Sequence, residues 1–435
     1  MLYVKEHLVA RLLRRLRKSH SVTGGDGQRN GVRTAVDSRW LVTALPFEPQ
    51  PLPRQRRMPF FEGWFVRLVD HRTLTSIAVV FGSLRLGESS ASGGKHAAAT
   101  SAPEVVNPFD EHIVVVGYSS DTQGLHGTRT LYLSGSDVAL VGGDATDIPG
   151  APQCEADEPR ISWWSHAHGG LRSVGDDAIL DLRLPGLQLA ANISSPRVPW
   201  DPSGPNRRGP EGWLAPTGLL PCHYFVHSFG SPATYRLWQP SPTSQPQTTT
   251  GRRRGGARER DGWELSGQAL THMERNWGVT FPAGWVWAQA IAAGGACRLV
   301  LTGGLFAIGP LATQQYVVGL RAGALAWDFR TTDLDGVSEA RAPCAGALHL
   351  NLTSRDGTRR LGLSLRAPPE TFGERIPVPT VGGFSDVPGC RESYEAVATV
   401  VAAGRRSRRA AWAELGIWTV PLAVLEFGGS YQCAV

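Results

Sequence analysis

Past its first 58 residues the chain is built from apolar runs too short for helices and divided by turn residues. The runs fall at 77–81, 112–118, 130–133, 178–184, 224–229, 285–291, 298–301 and 316–320. They are rich in Val, Ile, Leu and aromatic residues and have the length of β-strands. Gly, Pro, Asp and Ser separate them. No stretch of this region carries the 3.6-residue apolar period of a long amphipathic helix. The 51 Gly and 31 Pro residues add to this, since both disfavour helix interiors. Many short strands with turns between them predict an all-β fold of antiparallel barrels or sandwiches, with few helices.

The 435 residues are enough for two such units. A division near residue 238 gives a first β domain over 47–238 and a second over 262–435. Residues 86–107, rich in Ala, Ser and Gly, read as a loop inserted in the first. Residues 239–261, from a Pro/Ser/Thr tract into Arg252-Arg253-Arg254, read as a disordered insertion between the two. No short-period repeat is visible.

Charge is concentrated at one end. Residues 1–40 hold nine Lys or Arg against three Asp or Glu, which accounts for the whole net charge of +6. The rest of the chain balances, so a nucleic-acid partner, which calls for a basic face on the folded part, is not expected. The segment 1–46 reads as a basic targeting peptide, a membrane-surface helix or a disordered tail. No run of about 18 apolar residues is present, so no membrane-spanning helix is expected. The six cysteines are scattered and form no C-x-x-C, which predicts six free, mostly buried thiols in a reducing compartment.

Three segments hold candidate chemistry. In Pro59-Phe60-Phe61-Glu62-Gly63-Trp64-Phe65, strand alternation puts Phe60, Glu62 and Trp64 on one face. A carboxyl between aromatic rings is either a buried acid, its pKa raised by desolvation, or an ion-pair partner of an Arg such as Arg67. In the block 272–289, Glu274 and Asn276 share a face, as do Trp285, Trp287 and Gln289. Indole faces stabilise a passing carbocation, and amides hold a phenol oxygen; a Trp-rich core is the plainer alternative. In 221–228, His223, Phe225 and His227 share a face, and His166 and His168 form a second pair. No Cys or carboxylate accompanies these histidines at a ligand spacing, so neither metal nor cofactor is expected. P-loop, H-E-x-x-H and G-x-S-x-G motifs are absent from the sequence.

These same segments resemble the tocopherol cyclase family. The resemblance rests on Phe60-Phe61-Glu62-Gly63-Trp64-Phe65, Gly212-Trp213-Leu214-Ala215-Pro216 and Glu274-Arg275-Asn276-Trp277-Gly278. It continues through Phe281-Pro282-x-x-Trp285-x-Trp287-x-Gln289, Leu301-Thr302-Gly303-Gly304 and Leu365-Arg366-Ala367-Pro368. It spans about residues 47–435. His272 stands where the family pattern has an aromatic residue. The resemblance, and a more distant one to carotenoid 1,2-hydratases, implies two lipocalin-like (calycin-type) β-barrels with an apolar ligand within or between them. It also implies a plastid, membrane-peripheral or plastoglobule-associated intramolecular lyase of vitamin E synthesis.

The expected reaction is closure of a prenyl (phytyl) quinol to a chromanol, without a cofactor. An acid protonates the trisubstituted double bond, a tertiary cation forms, and the phenol oxygen attacks. Glu274 or Glu62 is the expected proton donor, and His227 a candidate base. Asn276 and Gln289 are candidates to orient the quinol oxygens, and Trp64, Trp277, Trp285 and Trp287 to line the cavity. The alternatives are a non-catalytic prenylquinone or lipid carrier with the same barrels, and a related isoprenoid hydratase.

Overall fold

A computed structural model describes residues 60–85, 110–141, 162–174, 177–194, 199–200, 209–217, 220, 222–240, 262–279, 281–308, 311–380 and 383–433. The expected segments 1–46, 86–107 and most of 239–261 lie outside these residues, as does Cys154. Among the described residues the chain is all-β, with a few 3-10 turns as its helical content. None of the described residues form a helix long and apolar enough to cross a membrane.

The strands form two antiparallel sheets that follow one plan. The first contains β1 (Phe60–Asp70), β2 (Thr75–Arg85), β3 (Asp110–Ser120), β4 (Leu125–Ser134) and β5 (Val138–Val141). It continues with β6 (Ser162–Ser165), β7 (Gly169–Val174), β8 (Asp177–Leu184), β9 (Leu187–Ile193), β10 (Cys222–Gln239) and β11 (Trp263–Gly278). Apart from β4 and β5, each strand pairs with the next in sequence, and the last, β11, pairs with the first, β1. The two edge strands, β4 and β5, are joined by a three-residue turn, Gly135–Asp137. A sheet whose first and last strands pair and whose edges meet at so short a turn is curled into a barrel.

The second sheet repeats this scheme. It comprises β12 (Gly284–Ile291), β13 (Cys297–Ile308), β14 (Leu311–Ala322), β15 (Leu325–Arg330), β16 (Gly336–Ala342) and β17 (Ala347–Thr353). β18 (Arg359–Arg366), β20 (Gly383–Gly404) and β21 (Ala413–Gly429) complete the path, and β19 (Ile376–Thr380) pairs alongside β20. Again the last strand, β21, pairs with the first, β12, and the edges β15 and β16 are joined across the turn Thr331–Asp333. The chain thus carries a duplicated plan that its sequence does not show. The first sheet runs to Gly278, so β11 lies beyond the division expected near residue 238. The reason is its pairing with both β1 and β10.

Each barrel has its own core. In the first, Trp64, Val66, Leu68, Val79, Val116, Leu180 and Leu189 pack inside; in the second, Val286, Ala288, Leu299, Val318, Leu350, Leu363 and Val400. Outer strands such as β8 and β9 alternate buried and exposed positions, as a half-buried sheet requires. β12 is buried at all eight positions, because both of its faces are covered. Val286, Ala288 and Ala290 point into the second core, whereas Trp285 and Trp287 point toward the first barrel. The two barrels meet along this seam, where Phe65 and Trp287 rings touch edge-on at 4.9 Å. The buried Arg67 guanidinium crosses the seam, donating to Gln289 Oε1, Ser76 Oγ and the Leu422 carbonyl. Burial lowers its pKa to about 9.

One expectation is overturned. Cys344 and Cys433 form a disulfide across 89 residues of sequence. Arg341 sits over the Tyr431 ring at 3.4 Å, which brings the chain's last described residues to the Pro343–Ala345 turn and places the two sulfurs together. Cys222, Cys297 and Cys390 are free thiols.

Candidate active site between the barrels

A cavity of about 230 Å³ opens in the seam, outside both barrel cores. Its floor is one row of residues in register across the first sheet: Tyr224, Asn276, Gly63, Gly82 and Ile113. Its roof is a row of the second sheet: Val317, Thr302, Trp287, Glu426 and Glu392. Phe61, Phe281, Trp285 and Phe384 supply further aromatic wall. The glycines matter here. A side chain at Gly63 would strike the Asn276 amide, and a Cβ at Gly82 would lie 3.0 Å from the Phe384 ring. Likewise Gly428 leaves room for the Trp285 indole to lie flat over β21.

One end of the cavity is covered by residues 209–217, whose Pro210, Glu211 and Leu214 line it. Glu211 accepts from the Tyr224 backbone N–H at 2.6 Å and contacts His223 Nδ1 at 3.0 Å. From the other barrel, Arg330 donates to the carbonyls of Pro210 (2.5 Å) and Gly209 (3.1 Å). The opposite end is formed by the β19–β20 hairpin with Ile113 and is largely apolar, with Glu111 of β3 accepting from the Phe384 backbone N–H at 3.0 Å.

Two carboxyl centres face each other across this space. On the floor, Glu274 Oε2 accepts from the Tyr224 hydroxyl at 2.5 Å and meets His272 Nε2 at 2.6 Å. His272 is buried and Tyr224 half-buried, and desolvation followed by the charge of Glu274 pushes the Tyr224 phenol well above its ordinary pKa. On the roof, Glu392 and Glu426 lie directly opposite in the β20–β21 register. Burial raises the pKa of both, and each one's bond to the other belongs to the same linkage. Glu426 rises well above the usual carboxylate range, since its neighbour's charge adds to the desolvation. Two carboxyls this close in a dry site do not both ionise, so the pair keeps a proton near neutrality. The Trp285 indole N–H donates to Glu426 Oε1, and Cys390 stands beside the pair with its own thiol pKa pushed well up by burial. Glu392 Oε2 is buried with no partner.

The duplicated plan relates the two centres. Glu274 on β11 opposes Phe65 of β1, just as Glu426 on β21 opposes Trp287 of β12. Corresponding strands of the two barrels therefore each bring one carboxyl and one aromatic ring to the seam.

Of the residues expected from sequence, Glu274, Asn276, Trp285 and Trp287 line the cavity. Glu62 and Trp64 border it, but their side chains bond to each other and to Arg275 on the first barrel's side. Trp64 Nε1 donates to Glu62 at 3.0 Å, and Arg275 Nε lies 3.0 Å from the same carboxyl. The ion pair expected with Arg67 is thus made with Arg275, because Arg67 points to the opposite face of β1. His227 sits at a β10 bulge with its ring 4.9 Å from Trp64, away from the cavity lining. Trp277 stacks on His223 at 5.2 Å, beneath the Arg275 guanidinium. Gln289 serves Arg67. His166 and the half-buried His168 lie in the β6–β7 turn, not on a strand. Sequence reasoning missed Glu392, Glu426, Tyr224, His272 and Cys390. Its available signal was a charge inside an apolar strand, as in Ala423-Val424-Leu425-Glu426-Phe427.

No family model matches the chain, and no curated protein matches it. Solved structures do. CghA with Sch210972 is 11% identical, with 86% of this chain and 89% of that one covered and a TM-score of 0.48. Kievitone hydratase from Nectria haematococca is 9% identical, with 85% and 89% covered and a TM-score of 0.41. An AttH-like protein from Nitrosomonas europaea is 12% identical, with 88% and 99% covered and a TM-score of 0.43.

Proposed function

We propose that this chain is a cofactor-free acid–base catalyst that closes a prenyl quinol to a chromanol, the tocopherol cyclase reaction. The observation that carries the reading is the proton-holding Glu392–Glu426 pair facing Glu274 and Tyr224 across an aromatic, water-poor chamber. Glu426 gives its proton to the less substituted carbon of the trisubstituted alkene. The tertiary cation that forms lies against the Trp285 and Trp287 faces, each contributing roughly 0.5–2 kcal/mol of cation–π stabilisation. The quinol oxygen attacks this carbon and closes the ring. Its proton passes to Glu274, directly or by way of the Tyr224 hydroxyl, while Asn276 holds the second oxygen. One proton enters and one leaves, so the product is an isomer of the substrate and no redox partner is needed. The dry chamber keeps water from trapping the cation, and holding the folded chain near the attack geometry lowers the entropic part of the barrier.

This assigns the acid to Glu426, with Glu392 sharing its proton, and gives Glu274 the opposite role. Glu62, held against Arg275, takes no part. The test is incubation of the purified chain with reduced 2,3-dimethyl-6-phytyl-quinol under argon, followed by mass spectrometry and chiral chromatography. A chromanol of one hand is expected. Binding with no product identifies a carrier, a tertiary alcohol identifies a hydratase, and either result overturns the cyclase reading.

A further inference from the structure

The roof of the chamber brings a thiol together with its two carboxyls. Cys390 and Glu392 stand two residues apart on β20 and so share a face, and Glu426 of β21 lies directly across from Glu392. The Cys390 Sγ and one oxygen from each carboxylate all lie within 4.8 Å of one another. No other three His, Cys, Asp or Glu side chains come together in this way among the described residues. Each of the three is 9% exposed or less. A tetrahedral zinc-like ion, with sulfur at about 2.3 Å and oxygen at about 2.0 Å, sets its ligand atoms roughly 3.3–3.5 Å apart. The three atoms thus close on such an ion by a contraction of at most about 1.5 Å.

The surroundings orient these groups as an outer shell orients metal ligands. The Trp285 indole lies over Gly428, the residue opposite Cys390, and its N–H donates to Glu426 Oε1. Tyr394 and Glu426 bond the Glu392 carboxyl, yet Glu392 Oε2 is buried with no partner. A buried acceptor left unsatisfied costs about 1–3 kcal/mol, and a cation removes that cost. The Cys390 thiol has the Ile376 carbonyl at 3.9 Å and the Glu426 carboxyl as its acceptors. All three side chains line the chamber, so the fourth position of a tetrahedron built on them opens into it.

From this set we infer that Cys390, Glu392 and Glu426 form a site for a divalent cation of the zinc class, and that the cation takes the place of the proton the two carboxyls share. One thiolate with two carboxylates selects a borderline-soft ion over Mg²⁺ or Ca²⁺, which take oxygen ligands. The exchange balances. One dication enters, and the thiol proton and the shared carboxyl proton leave. The site carries one negative charge before and after, near the Arg67 guanidinium, whose charge acts on Glu392. With the ion in place Glu426 has no proton to give, so the loaded chain is silent in the proposed reaction. That consequence rests on the proposed function; binding of the ion does not.

The experiment uses the full chain, freed of metal by a chelator and titrated with Co²⁺ alone. One ion per chain is expected, with the near-ultraviolet charge-transfer absorption of a thiolate on cobalt, and Zn²⁺ is expected to displace it. Cys390→Ser removes the band. Cys222→Ser, at the other free thiol lining the chamber, keeps it. Glu392→Gln weakens Co²⁺ binding at least about tenfold, the least that loss of even an outer-shell partner costs. Circular dichroism checks that the variants fold, and should either ligand variant unfold, the other decides. No band in the wild type, or a band that survives Cys390→Ser, overturns the site. One equivalent of Zn²⁺ lowers chromanol formation at least about 100-fold, the contribution of a general acid; undiminished turnover of the loaded chain overturns the exchange of ion for proton. If the metal-free chain forms no chromanol, the cyclase reading falls and the cobalt band still decides the site.

Discussion

Replacing Glu426 by Gln separates the proton from everything else this side chain does. Gln keeps the oxygen that accepts from Trp285 Nε1 and nearly the same volume. It removes the shared proton and the charge facing Glu392. Two consequences follow. The first is catalytic: a positioned general acid contributes about 10²–10⁴-fold, so kcat falls by at least about 100-fold, about 2.7 kcal/mol of barrier at 1.36 kcal/mol per tenfold. The second concerns stability. Glu426 has a folded pKa raised by burial, so above the ordinary carboxylate range the folded chain keeps a proton that the unfolded chain has released. Wild-type stability therefore declines as pH rises through that window, by about 1.4 kcal/mol per pH unit for one retained proton. The variant lacks this slope. Its stability relative to wild type climbs with pH, so the substitution that removes activity stabilises the fold at pH 7–8. Chromanol formation measures the first effect, and urea unfolding from pH 5 to 8 the second. Full activity in the variant, or unfolding curves that stay parallel across that range, refutes the shared-proton reasoning.

Tyr224→Phe removes the 2.5 Å donor to Glu274. A hydrogen bond to a charged group is worth about 1.5–3 kcal/mol, so kcat falls about 10- to 100-fold with KM little changed, and steady-state kinetics on the phytyl quinol reads the split. His112, bonded to Ser83 Oγ at 2.8 Å, has its pKa lowered to about 4 by burial. Its depressed folded pKa leaves stability complete above the unfolded value near 6.5 and lost as pH falls toward 4. Thermal melts across that range fall more steeply for the wild type than for His112→Gln, by up to about 3 kcal/mol. Cys433→Ser opens the bond to Cys344 and costs about 2–4 kcal/mol by the loop-closure argument, seen as a lower urea midpoint than the oxidised wild type and unaffected by reductant.

The all-β class was legible because two-residue alternation and turn chemistry are local properties. Glu274 with Asn276, and Trp285 with Trp287, were legible for the same reason: each pair lies on one short strand. Glu62 shows where alternation stops. It places Glu62 and Trp64 on one face, but β1 is buried on both faces, and only the pairing of Trp64 with Arg275 decides that this face belongs to the first barrel. The Glu392–Glu426 pair was beyond reach because it is made by register between strands 34 residues apart, and no local pattern reports which residues face each other there. The disulfide is of the same kind. Its partners are 89 residues apart and meet through closure of the second barrel.

The chamber is walled by the outsides of two barrels that are each packed from within. A wall residue such as Thr302, Val317 or Ile113 contributes its side chain to the seam and not to the interior of its barrel. Exchanging it reshapes the vessel while the interior packing of either barrel stays as it is. The two walls also belong to separate sheets, so one can drift while the other keeps its proton donor or acceptor. A scaffold arranged this way separates the chemistry of the site from the choice of what fills it, and a lineage built on it is free to change its ligand many times over while remaining the same pair of barrels.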